Sequence, residues 1–298
     1  MPLTVKRLGN VIGAELIGLD LSQPLSDATV AEVRRAWLDN LVLVIRGQDI
    51  TPAQHVAFSE RLGEPERGNA LSHYNLPGHP EILMITNHMI DGKPSETRNT
   101  GRQWHSDLSY TLRPPMGSIL HAREIPEVGG DTMFSNMYAA YETLSPAMQA
   151  FLDPLQAVHD FMNSKDMAKR DPVTVEAMKQ RTPPVAQPVV RVHPETGRKA
   201  LYVHEAATMH IEGLEPEESR AILDFLFRHC EKHEHVYRHR WQLHDIVMWD
   251  NRCVSHIALF DYSHSSPRHM LRTTLIGTPS GSVRSRGTPA DLRSVAAG

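Results

Sequence analysis

From His235 to Ile276 the chain alternates through three short strand-like runs, His235 to Trp241, Asp245 to Trp249 and Arg268 to Ile276. That succession constrains the fold more than any other feature, because a doubly wound parallel sheet needs a crossover helix between successive strands. Further short runs fit the same pattern: Ile82 to Ile85, Val189 to Val192 and Ala200 to Val203. The continuous apolar stretch Leu41-Val42-Leu43-Val44-Ile45 suits a buried strand. Helices are fewer. Val30, Val33 and Trp37 share one helical face, as do Ile222, Leu223, Leu226, Phe227 and Cys230. Thr51-Pro52-Ala53-Gln54 reads as an N-cap, a first-turn proline and a capping-box glutamine, with Gly63 closing the helix, and Ser145-Pro146 opens another. The expected fold is therefore mainly β with flanking helices, a barrel or sandwich. No Gly-rich nucleotide loop of either standard spacing is present.

A chain of 298 residues fits one such domain with its covering helices. The reading is a single domain over residues 1–278, and a loose tail over 279–298 where Ser, Gly and Arg dominate. Residues 65–102 read as long loops around one strand, and 163–184 as a mobile loop. A net charge of −4 without a long basic run excludes nucleic acid and anionic membranes as main partners. The first residues lack the apolar core of a signal peptide and no stretch is apolar enough to span a bilayer, so a cytoplasmic protein is expected. Two cysteines, Cys230 and Cys253, give no disulfide framework.

Four segments can carry chemistry. Trp104-His105-Ser106-Asp107 places an imidazole and a carboxylate at i and i+2, on one face if the segment is a strand. With 18 histidines in the chain this spacing arises about once by chance, so it does not single out a metal by itself. Downstream of a strand, Trp249-Asp250-Asn251-Arg252-Cys253-Val254-Ser255-His256 supplies a second histidine from a turn. Two histidines and one carboxylate on one side of an ion leave positions open, the pattern of non-haem Fe(II) oxygenases. Pro267-Arg268-His269-Met270-Leu271-Arg272 sets two arginines about 13 Å apart along one strand face, each able to hold a different anion through its planar fork. Gly129-Gly130-Asp131-Thr132 is a turn running into a strand, with a hydroxyl able to donate to a carboxylate.

Taken in this order, WHSDLSY, GGDTMFSNM, VMWDNRCVSH and PRHMLRTT resemble the taurine dioxygenase family, which includes phenoxyacetate-type dioxygenases; the resemblance runs from about Val11 to Gly277. It implies a double-stranded β-helix, or jelly-roll, barrel. It also implies Fe(II) at His105, Asp107 and His256, and 2-oxoglutarate held through its distal carboxylate by Thr132 and Arg268. Arg272 matches a position that binds the substrate anion or helps fix the cosubstrate. The reaction implied consumes O2, splits 2-oxoglutarate into succinate and CO2, and hydroxylates a small organic anion of sulfonate, alkyl sulfate or phenoxyalkanoate type. Retention of Asp107 favours hydroxylation over halogenation.

Family segments that line the substrate side point to His73, Tyr74, Leu108 and Phe161 as pocket residues. Gly101 stands where the taurine enzyme has an asparagine, which argues against taurine itself. Twelve steps separate His256 from Arg268, one more than usual, so the loop from Phe260 to Ser266 is remodelled. The family's barrels often pair, so a homo-oligomer is expected. Two other readings use the same side chains: a zinc hydrolase with a bound water, and a metal-bearing barrel that only binds a ligand. The arginines and Thr132 discriminate against the hydrolase, which needs no separate carboxylate clamp.

Overall fold

The computed structural model describes residues 3–68, 72–90, 92–164, 172–263 and 265–285. Its main layer is an eight-stranded sheet in the order Thr4–Arg7, Ala14–Ile17, Val42–Ile45, Ile246–Asp250, Gly117–Glu124, His269–Leu275, His79–Thr86, Asn75–Leu76. Ala14–Ile17 and Val42–Ile45 pair in parallel, and the other neighbours are antiparallel. Its central strands are buried on both faces, which explains their continuous apolar runs. Alternation then sorts the side chains into two cores. Val42, Val44, Leu120, Ala122, Val247, Trp249 and Met270 face one core, while Leu43, Ile45, Ile119, Ile246, Met248 and Leu275 face the other.

Helices cover the second core. Asp27–Asn40, capped by Ser26, buries Val33 and Trp37 there. Pro52–Leu62 starts with the full Thr51–Gln54 capping box and buries Phe58 and Leu62. Trp37 lies so close to the sheet that a Cβ on Gly117 would stand 2.4 Å from its ring and 2.8 Å from the Trp249 carbonyl, so only glycine fits.

The first core, beneath the helix Pro216–Cys230, is shared with a three-stranded sheet, Val236–His239, Thr132–Asn136, Val254–Ala258. A four-stranded sheet, Thr208–Ile211, Gln156–His159, Val185–Pro188, Ser282–Val283, completes the β structure with two small hairpins. The molecule is thus mostly β with few helices, and no helix among the described residues is long and apolar enough to cross a membrane.

Three local expectations change. Residues 65–102 hold short strands and 3-10 turns around His79–Thr86 rather than bare loops. Within 163–184, Pro172–Arg181 is a helix, while 165–171 lie outside the described residues. The segment read as a loose tail begins tied down: Ser282–Val283 pairs with Val185–Ala186, and Arg284 grips Glu212. Composition hides this because two backbone pairings and one ion pair suffice to anchor a polar strand. Residues 286–298 lie outside the description.

Polar groups buried in the second core carry a pH dependence. His55 from the helix and His121 from the sheet meet edge to face with ring centroids 5.9 Å apart, and both are wholly inaccessible. Burial, then His121, pushes His55 down to about 3 from 6.5. Burial, then Arg123, takes His121 to about 4, with His244 opposing and Asp49 favouring its charge. Because both folded values lie below the unfolded one, the unfolded chain binds protons first. Their stabilising contribution is complete above about pH 6.5 and drains as the pH falls toward 4 and then 3. The melting temperature is expected to drop across that window, and His121→Met to flatten the drop. An unchanged slope in the variant would assign acid sensitivity elsewhere.

Candidate metal centre and its cavity

His105 and His256 are joined through the backbone. His105 N–H donates to the His256 carbonyl at 3.0 Å and His256 N–H to the His105 carbonyl at 2.8 Å, in a single isolated bridge. Their rings stand 4.1 Å apart by centroid. The supports differ from those the spacing suggested. His256 lies inside the strand Val254–Ala258, which pairs residue for residue with Thr132–Asn136, rather than in a turn. The segment from His105 to Asp107 is no strand. After the bridge, Ser106 Oγ donates to the Asn251 carbonyl at 2.6 Å, and Leu108 takes a positive φ of 47°, so the chain turns and Asp107 swings back toward the two imidazoles.

The donor atoms of His105, Asp107 and His256 all lie within 4.8 Å of one another. Asp107 Oδ1 is 3.8 Å from His105 Nε2 and 4.0 Å from His256 Nε2. Three donors on one face of an ion, each about 2.1 Å from it, stand about 3 Å apart, so these side chains need to draw in by about 1 Å to grip one. His105 Nδ1 donates to the Gln103 carbonyl at 2.8 Å, which fixes the ring with Nε2 toward Asp107. His256 is held between Trp249, at 4.7 Å, and Phe134, at 6.0 Å. Burial, reinforced by His105, drives His256 well below the usual histidine range, so it is a neutral imidazole. For Asp107 burial opposes ionisation, but Arg272, both imidazoles and the Ser118 hydroxyl outweigh it and hold the carboxyl well below its ordinary value. A neutral His256 imidazole and an ionised Asp107 carboxylate are thus ready as ligands without proton loss, with His105 Nε2 beside them.

These groups open on a cavity of about 160 Å³ between the eight-stranded and three-stranded sheets. Thr132 and Arg268 line it, as do Arg272, Leu108 and Phe161. Thr132 Oγ1 accepts from Trp241 Nε1 at 3.0 Å, so its own proton is available to the cavity. Arg268 is 7% exposed and reaches the Gly130 carbonyl at 3.4 Å, while its Nε has no partner. Burial lowers its pKa. Arg272 differs from expectation: its Nη1 donates to Asp107 Oδ1 at 2.9 Å, so the anion it holds in this structure belongs to the site itself.

His73 and Tyr74 do not line the cavity. His73 is exposed, its ring packs on Tyr74 at 4.0 Å, and the Tyr74 hydroxyl accepts from Glu96 N–H. Sequence patterns alone give no sign of Tyr110, which stacks on Phe161 at 4.7 Å, or of the neutral, buried His204. They give none of Ser118 and Asn251 either, which hold Asp107 from behind. At Gly101 φ is +84°, and a Cβ would lie 3.4 Å from His105 Cε1 and 3.6 Å from Ala258 Cβ. Near the loop from Phe260 to Ser266, Arg102 lies over the Phe260 ring at 3.9 Å.

A second cluster, His193, Asp250 and Cys253, has its donors already engaged. Arg252 takes both Asp250 oxygens, at 2.8 and 2.6 Å, and His193 Nδ1 accepts two backbone N–H groups. Burial holds the Cys253 thiol protonated. That cluster is a structural lock.

Comparison with known proteins defines the class of this site: alpha-ketoglutarate-dependent dioxygenases. The family model described as "Taurine catabolism dioxygenase TauD, TfdA family" matches residues 4–274, and the chain belongs to that family. It is 36% identical over 286 residues to the alpha-ketoglutarate-dependent 2,4-dichlorophenoxyacetate dioxygenase of Cupriavidus pinatubonensis, covering 93% of this chain and 98% of that protein. With the alpha-ketoglutarate-dependent sulfate ester dioxygenase of Pseudomonas putida it shares 32% identity over 290 residues, 93% and 90% of the two chains. The crystal structure of AAD-2 in complex with Mn(II) and N-oxalylglycine superposes with a TM-score of 0.84 at 33% identity, covering 94% of this chain and 99% of that one. The protein is therefore a 2-oxoglutarate-dependent dioxygenase.

Proposed function

We propose that the protein hydroxylates a small organic anion of sulfonate, alkyl sulfate or phenoxyalkanoate type, using Fe(II) at His105, Asp107 and His256. The observation that carries this reading is one cavity holding both a two-histidine, one-carboxylate set within 4.8 Å and, beside it, a buried arginine with an unpartnered Nε and a threonine hydroxyl. Thr132 and Arg268 hold the distal carboxylate of 2-oxoglutarate, the hydroxyl donating one hydrogen bond and the guanidinium a fork of two. Arg272 keeps Asp107 ionised and turns its remaining N–H groups to an incoming anion. Bound Fe(II) supplies the oxidising chemistry that converts 2-oxoglutarate and O2 to succinate and CO2. The protein's share is position and exclusion of water: Leu108, Tyr110, Phe161 and Trp249 give the cavity an apolar wall.

The architecture we infer is a double-stranded β-helix, or jelly-roll, over a single domain of residues 1–278, acting in the cytoplasm as a homo-oligomer. The zinc hydrolase reading is not favoured, since it leaves Thr132 and Arg268 without a task. A succinate-release screen over alkyl sulfates, sulfonates and phenoxyalkanoates tests the substrate class. Substrate-stimulated succinate from at least one of these classes is expected. Release from none of them, with turnover of uncharged compounds instead, would overturn the anionic assignment.

A further inference from the structure

The carboxylate of Asp107 is held at both oxygens, and the two holds do different things. Oδ1 faces the two imidazoles and Arg272, whereas Oδ2 points away and accepts from Ser118 Oγ at 2.6 Å. Hydrogen-bond polarity fixes the rest of the relay. The carboxylate oxygen accepts, so the single hydroxyl proton of Ser118 is committed to Oδ2. Asn251 Nδ2, 3.0 Å from Ser118 Oγ, must then be the donor. Its Oδ1 accordingly accepts from Trp249 Nε1 at 3.0 Å and from the Asp107 backbone N–H at 3.3 Å, both of which can only donate. Every polar atom in this relay has one consistent role, so the amide of Asn251 has one orientation. Ser118 and Asn251 are both wholly inaccessible and neither lines the cavity. Ser118 touches the ligand set only at Asp107, whereas Asn251 also holds Trp249 and Ser106.

We infer that Ser118 and Asn251 form a positioning pair that restricts Asp107 to ligation through one oxygen. This rests on the metal site proposed above. With Oδ2 committed, the chain would offer an ion three donors and leave its other positions to a chelating keto acid and one further ligand. Were Oδ2 to join Oδ1, one of those positions would close. The pair acts on cosubstrate binding, then, more than on retention of the ion.

Ser118→Ala releases Oδ2, while Ser118→Thr keeps the hydroxyl. Mn(II) affinity is read by electron paramagnetic resonance, 2-oxoglutarate affinity by anaerobic calorimetry on the Mn(II)-saturated protein, and integrity of the fold by the melting temperature without metal. Ser118→Ala is expected to keep Mn(II) affinity within about threefold and its melting temperature within a few degrees, and to weaken 2-oxoglutarate binding at least tenfold; Ser118→Thr is expected to restore it. Mn(II) binding weakened tenfold or more with 2-oxoglutarate binding at saturating metal unchanged would overturn the inference, as would a threonine variant as defective as the alanine. Failure of the wild-type, Mn(II)-loaded protein to bind 2-oxoglutarate would instead refute the proposed site.

Discussion

Asp107→Ala and His105→Ala each lower succinate formation to below about a hundredth of the wild-type rate, with a parallel loss of Fe(II) and Mn(II) binding. Each substitution deletes one of three ligands, a larger loss than that of a contact which only orients a ligand and costs about 10- to 100-fold in metal affinity or in activity. The pair separates chemistry from folding. Removing Asp107 also strips Arg272, whose side chain is 12% exposed, of the carboxylate it pairs with, and an uncompensated buried charge costs roughly 3–5 kcal/mol. His105→Ala leaves the Arg272–Asp107 pair in place and gives up one ring hydrogen bond to the Gln103 carbonyl. Equal catalytic loss is therefore expected in both variants, with a lower melting temperature mainly in Asp107→Ala. Full succinate formation in either would refute the metal assignment.

Arg268→Ala is expected to raise the 2-oxoglutarate requirement by about 100-fold and to leave metal binding in place. Arg268 is nearly enclosed, its Nε lacks a partner, and the Gly130 carbonyl at 3.4 Å is a poor substitute for an anion. Hydrogen bonds to a charged group are worth about 1.5–3 kcal/mol each, so a fork of two accounts for an effect of that order. Arg268→Lys should recover only part of the affinity, because an ammonium keeps the charge and loses the planar fork. The measurement is the apparent KM for 2-oxoglutarate at saturating substrate. A KM unchanged in the alanine variant would mean the clamp lies elsewhere.

Much of the fold is legible in the amino-acid sequence itself. Leu41 to Ile45, the capping box at Thr51 and the helical face ending at Cys230 are local patterns, and local patterns survive into the fold. The ligand set is legible as residue types, but its supports are not. Whether His105 and Asp107 share a strand depends on Ser106 finding the Asn251 carbonyl 145 residues away, which no short window contains. Ser118 carries no signal at all, being one serine in an apolar run. Its role exists only because the register sets Ser118 opposite Trp249 and Thr274. Asn251 lies inside a motif that stands out, yet its importance comes from both ends of its amide being engaged. His73 and Tyr74, placed by family segments, illustrate the opposite failure, since their loop packs on Glu96 instead of the cavity.

The central claim is that one cavity binds Fe(II) and 2-oxoglutarate together, and anaerobic visible spectroscopy tests it most directly. Adding 2-oxoglutarate to the Fe(II)-loaded protein is predicted to produce a weak visible charge-transfer band that saturates at one equivalent and is absent in Asp107→Ala. No band in the wild-type protein, together with hydrolytic activity restored by Zn(II), would contradict that claim.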